Sequence, residues 1–201
     1  MKPRSPITTI VLGLFMALAA GGVNLWLGVR SGQPGLWGLG LALWVGALPT
    51  ASLLKRQLEG MDNRGLERER VTLRVAAWGL RVLAAGMALV LWLDPPLPAD
   101  VGAWILLGGT LFVAIGTWGQ KWVLREDHPS FAADALRSRL LVEGAVLLLA
   151  GFALGERLPA WGGRLGGLLM ALRFFWAGQQ WGKASTVAAA ACGGCGGGCG
   201  C

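Results

Sequence analysis

Cys192, Cys195, Cys199 and Cys201 fall within the final ten positions of the 201-residue sequence, spaced C-x2-C-x3-C-x-C on glycine. Glycine lets a short chain fold back on itself, so the four thiolates could converge on one thiophilic ion such as Zn²⁺, Cu⁺, Cd²⁺ or Hg²⁺. The two separated C-x2-C knuckles of a folded zinc module are absent. The same stretch therefore also reads as a flexible low-complexity end, or as a handle for covalent modification. A second group of chemically capable residues sits in apolar surroundings: Asp134 and Glu143, with Arg81 and Arg139. A charge in such surroundings needs a partner or a function. No Ser/His/Asp grouping, phosphate-binding glycine loop or acid pair occurs, and the single histidine, His128, stands alone. An enzyme is not expected.

The elements that must position these residues are long apolar spans. Hydrophobic residues make up 54% of the chain and charged residues 14%, against roughly a quarter charged in an ordinary soluble domain. Mean hydropathy is +0.56. The apolar residues form six blocks, near Ile7–Val29, Gly35–Leu54, Val71–Leu93, Val101–Gln120, Phe131–Leu154 and Ala160–Trp181. Each is about 20 residues or longer, enough to cross a hydrocarbon layer of about 30 Å as a helix. A soluble single-core domain is excluded. The expected fold class is an all-α integral membrane protein, a six-transmembrane-helix bundle over residues 1–183. A flexible Gly/Cys-rich cytoplasmic tail is expected over 184–201.

Orientation follows from the basic residues. Lys2, Arg4, Lys55, Arg56, Arg64, Arg68, Arg70, Lys121, Arg125 and Lys183 fall on one side of the expected bundle, and Arg30 and Arg157 on the other. Ten against two places both termini in the cytoplasm, and in a bacterium the membrane is the inner one. The formal net charge of +7 is thus orientation information rather than a nucleic-acid footprint. The first span is read as an uncleaved helix, because its apolar run continues past Ala17-Leu18-Ala19 to Val29 without a charge. Most tryptophans fall near span ends, where an amphipathic ring prefers the headgroup level. Trp44 and Trp78 lie deeper and are read as packing residues.

Depth at 1.5 Å per residue puts Arg81 about 15 Å in, Glu143 about 18 Å, and Arg139 and Arg173 about 12 Å. Glu143 is the acid nearest the midplane. Its expected partners are Arg139, four residues earlier on one helix face, and Arg81 across a helix interface. This cluster is read either as a charge relay or as a structural ion pair. Gly162 with Gly166, and Gly163 with Gly167, mark close helix contacts in the sixth span.

Between residues 120 and 155 the chain resembles the membrane domain of the cation diffusion facilitator (cation efflux) family. The likeness is carried by Gln120-Lys121-Trp122-Val123-Leu124-Arg125, the link through His128-Pro129-Ser130, and Ala133-Asp134-Ala135-Leu136-Arg137-Ser138. It implies six spans, cytoplasmic termini, a homodimer, and transport of Zn²⁺ or a similar divalent ion held by His or Asp on the second and fifth helices. Here the fifth-helix ligand positions read Arg137 and Leu141, and Gly35–Leu54 contains no His, Asp, Glu or Cys. Asp134 alone is retained. The expectation is a membrane protein handling metal cations, with the bilayer and the ion as partners and the tail thiols as capture site. The alternative is a non-transporting scaffold or partner subunit. Orientation is directly testable: a membrane-impermeant maleimide should label the tail thiols in inside-out vesicles and leave them unlabelled in sealed right-side-out cells.

Overall fold

The computed structural model describes residues 6–59, 63–94, 96, 99–124, 129–158 and 161–193. Among them are six α-helices and no strands: α1 (Pro6–Arg30), α2 (Pro34–Glu59), α3 (Asn63–Leu93), α4 (Val101–Leu124), α5 (Pro129–Arg157) and α6 (Gly162–Gly193). Five of them, α1 to α5, are long and apolar enough to cross a membrane, and the chain is a multi-pass membrane protein. The sixth is diluted by Arg164, Arg173, Gln179, Gln180 and Lys183. It also continues to Gly193, so the start of the segment expected to be a flexible tail is helical. Cys195, Cys199 and Cys201 lie outside the described residues, as does the side chain of Cys192.

Local chemistry sets the helix ends. Gly32 adopts φ 63°, the left-handed conformation that only glycine reaches without steric penalty. The Gln33 N–H then donates to Gly28 O (2.8 Å) and the Gly32 N–H to Val29 O (3.4 Å), the paired bonds that close a helix C-terminus. Pro34 opens α2 immediately, at a position where its missing N–H costs nothing. Asp100 caps α4, accepting the Ala103 N–H at 2.8 Å.

In cross-section the helices form a closed ring in the order α1, α2, α3, α6, α5, α4, with α2 and α5 also meeting across the middle. Four of them, α1, α2, α4 and α5, surround one polar cavity, while α3 and α6 make the most extensive pair and join α2, α4 and α5 in the main apolar core. The apolar window of α2 is 56% buried, against 22% for α1 and for α4; α2 is therefore the central helix. Leu36, Leu39, Leu80, Met87, Met170 and Phe174 are fully enclosed. Phe112, Trp92 and Val123 point outward, as lipid-facing side chains must when the solvent is as apolar as the core. Pro49 stands inside α2 and has no N–H to offer the carbonyl four residues earlier, which loosens the helix there.

The glycine pairs of α6 divide between two neighbours. Gly162 and Gly166 face α5, where a Cβ on Gly166 would lie 2.5 Å from the Cα of Gly151. Gly163 and Gly167 face Pro96 and Leu91 instead. Backbone touches backbone at Gly151 and Gly166, so Gly166→Leu should separate α5 from α6. Reversible unfolding in mixed micelles should show a loss of about 1–3 kcal/mol. Gly86→Ala, where a Cβ meets nothing within 4 Å, should be neutral or slightly stabilising.

Candidate functional site

The four-helix core encloses one ion pair. Lys121, near the end of α4, and Asp134, near the start of α5, have side chains only 6% and 2% exposed. The α4 periodicity explains how Lys121 gets there: Ala114, Thr117 and Lys121 fall on one helix face and all line the same cavity. On α5, Asp134, Ser138 and Leu141 do likewise. Lys121 was counted above among the orienting interfacial residues. It is instead buried, because α4 continues through Trp122-Val123-Leu124 and carries Lys121 with it.

The geometry is closely set. Lys121 Nζ lies 2.6 Å from Asp134 Oδ2 and donates to Ser138 Oγ at 2.9 Å. Asp134 Oδ2 accepts no aligned hydrogen bond, so its contact with Lys121 is charge proximity. Thr50 of α2 donates its hydroxyl to Asp134 Oδ1 at 3.0 Å. Ser138 donates to the Asp134 backbone carbonyl at 3.0 Å. Three helices thus meet at one carboxylate. Beside the pair is a cavity of about 30 Å³ that Thr117 and Arg137 also line, room for roughly one water molecule. Gly13 of α1 borders it; a Cβ there would sit 3.8 Å from Lys121 Cε.

The second group lies apart, on the α5–α6 seam. Glu143 takes Arg139 Nε at 2.8 Å and Arg173 Nη2 at 2.5 Å. Arg173 therefore supplies the second cation that the depth reading assigned to Arg81. With Arg139 59% and Glu143 27% exposed, this cluster sits toward the outside of the bundle rather than in a pathway through it. Arg81 is on the α3–α6 seam, donating to Gly178 O at 3.0 Å and stacked on Trp78, with 5.1 Å from Cζ to the ring centroid. Trp78 is 63% exposed and is not a core packing residue. Trp44 is partly exposed and donates its indole N–H to Leu18 O at 3.1 Å.

Of the sequence candidates, the structure brings Glu143 and Arg139 together and keeps Asp134 and Arg81 separate from them. Lys121, Thr50 and Ser138 were missed. The available signal was the apolar triplet after Lys121 together with Asp134 at the other end of the α4–α5 link. Among the described residues no three His, Cys, Asp or Glu side chains come together in a metal-binding group. A tethered ammonium instead occupies the position from which a cation would meet Asp134. The Glu126, Asp127 and His128 positions of the α4–α5 link lie outside the described residues.

No family model matches the chain, and neither does any curated protein or solved structure.

Removing one member of a buried pair strands the other charge, whereas removing both does not. Lys121→Met or Asp134→Leu alone should lower stability by about 3–5 kcal/mol. The double variant should recover most of that loss. A double-mutant cycle on reversible unfolding measures the coupling, and strict additivity of the two losses would contradict the pairing.

Proposed function

We propose that this chain is a six-span protein of the cytoplasmic membrane, with both termini inside, that exchanges a small cation bound at Asp134 against a proton carried by Lys121. The carrying observation is the Lys121 Nζ held 2.6 Å from Asp134 Oδ2 beside a hydroxyl-lined cavity. With Lys121 protonated, its ammonium neutralises the carboxylate. When Lys121 gives up that proton, Asp134 is left with the hydroxyls of Thr50, Ser138 and Thr117 around the cavity. Such a set of hard oxygen donors suits a hard cation, written here as the cargo. One proton out and one monovalent ion in leaves the charge of the site unchanged. A divalent cargo, as the likeness to cation efflux proteins implies, would leave an extra positive charge beside Arg137, which lines the same cavity.

The six-span topology is supported by α6, which packs along both α3 and α5 and completes the ring. Pro49 beside Thr50 supports mobility at the site, since α2 is weakest where the carboxylate is gripped. Thiophilic ions such as Zn²⁺ belong to a different chemistry. Capture of such an ion by Cys192, Cys195, Cys199 and Cys201 is a separate proposal, resting on ligand type and spacing alone.

A second reading, a non-transporting scaffold or partner subunit, is favoured by one observation. Asp134 is already matched by Lys121, and Glu143 by Arg139 and Arg173. Proteoliposomes distinguish the two. Under an imposed proton gradient, the intact protein should couple proton movement to Na⁺ or K⁺ uptake and not to uptake of Mg²⁺ or Zn²⁺. Asp134→Asn should abolish that coupling, and Lys121→Met should uncouple it from the proton. Absence of flux for all four ions in well-folded, intact protein refutes exchange and leaves the scaffold.

A further inference from the structure

The α3–α6 seam holds an open cleft of about 360 Å³ whose lining includes Arg74, Trp78, Arg81, Gly182 and Ser185. Arg74 and Arg81 bring two guanidinium cations to it, and no acid is among the described residues lining it. At the two ion-paired sites, by contrast, Lys121 faces Asp134, and Arg139 and Arg173 face Glu143. Arg81 is held across the seam by design of the helix surfaces. A Cβ on Gly182 would lie 2.5 Å from Arg81 Nη2, and one on Gly178 would lie 2.9 Å from Arg81 Cγ. The two glycines thus form a notch that the guanidinium lies in. One donor, Nη2, is used on Gly178 O, while Nε is buried with no hydrogen-bond partner. A buried guanidinium donor without an acceptor is costly.

We propose that this cleft binds the phosphate headgroup of an anionic phospholipid. A phosphodiester brings one negative charge and several acceptor oxygens, the complement of the Arg74 and Arg81 guanidinium groups that line one space. The neighbouring surface suits a lipid. Val75, Trp78 and Val82 recur at helical spacing on α3, all more than half exposed, an apolar stripe for acyl chains beside the cations. Side chains on a helix lean toward its N-terminus, so Arg74 and Arg81 lean toward the basic end of the bundle, where a leaflet carries anionic lipid. Basic pockets between spanning helices at that end recognise such headgroups. The inference uses the orientation argued above but not cation exchange, and it is read without any flux measurement.

The test is native mass spectrometry of the detergent-solubilised full chain, given equimolar dioleoyl phosphatidylglycerol and dioleoyl phosphatidylcholine. The intact protein should retain phosphatidylglycerol preferentially. Arg74→Gln, at an exposed position that leaves the fold intact, should cut that preference about fivefold, and adding Arg81→Gln should cut it by about fivefold again. A third arm adds millimolar inorganic phosphate, which should not displace the lipid. Equal retention of the two lipids by the intact protein overturns the proposal, as does an unchanged preference in Arg74→Gln. Displacement by inorganic phosphate also overturns it, by marking a free-phosphate site.

Discussion

A carboxylate inside a low-dielectric bundle must be matched, and the way Asp134 is matched organises the four-helix core. The ammonium of Lys121 comes from α4, the hydroxyl of Thr50 from α2, and the Ser138 hydroxyl bridges within α5. Apolar packing in a membrane is weakly directional, because lipid tails compete for the same contacts. A charged contact at 2.6 Å tolerates no such substitution. It sets the register of α4 against α5, and Thr50 holds α2 to the same carboxylate. Moving α4 by one residue would turn Lys121 off the face it shares with Ala114 and Thr117, and the ion pair would open. The ring of helices therefore has a polar clamp joining α2, α4 and α5, a second buried polar contact from Asn24 of α1 to Thr110 of α4, and glycine-mediated contacts, such as Gly151 against Gly166, at its edge.

The spans themselves were legible because hydrocarbon thickness and helix rise together demand about 20 apolar residues. Their ends were not. α3 begins well before Val71, and α4 runs past Gln120, because a helix need not stop where its apolar stretch stops. That gap is why Lys121 looked like a loop residue: charge was taken as the boundary, although Trp122, Val123 and Leu124 continue the helix beyond it. For Glu143, spacing along one helix identified Arg139, since residues four apart are neighbours on any α-helix. Spacing carries no information between helices. Depth alone made Arg81 and Arg173 comparable partners, and only the ring order, with α5 beside α6 and not beside α3, separates them.

The ring also divides the basic residues by surroundings rather than by depth. Arg139 and Arg173 meet Glu143 at a seam that is partly open. Arg81 and Arg74 share a seam whose described lining contains no acid. Lys121 is enclosed. A count of intramembrane cations against acids treats these as one surplus, yet their surroundings differ: Arg139 and Arg173 meet Glu143, whereas Arg74 and Arg81 line a seam with no acid among its described residues.

The choice between lysine and arginine follows the same division. Arginine presents five donors in a rigid plane, lysine three around a compact head. Beside Asp134 the free space is about 30 Å³ and the named acceptors close to Lys121 are a carboxylate and the Ser138 hydroxyl. A guanidinium there would bury donors without acceptors, which is the situation of Arg81 Nε on its own seam. At the seams, donors can turn outward to headgroup oxygens or water, so arginine is tolerated. A lysine also differs in being able to release its proton, which arginine does not do in proteins. The enclosed position beside Asp134 thus carries a basic side chain whose compact head fits the space and whose charge, unlike that of arginine, can change.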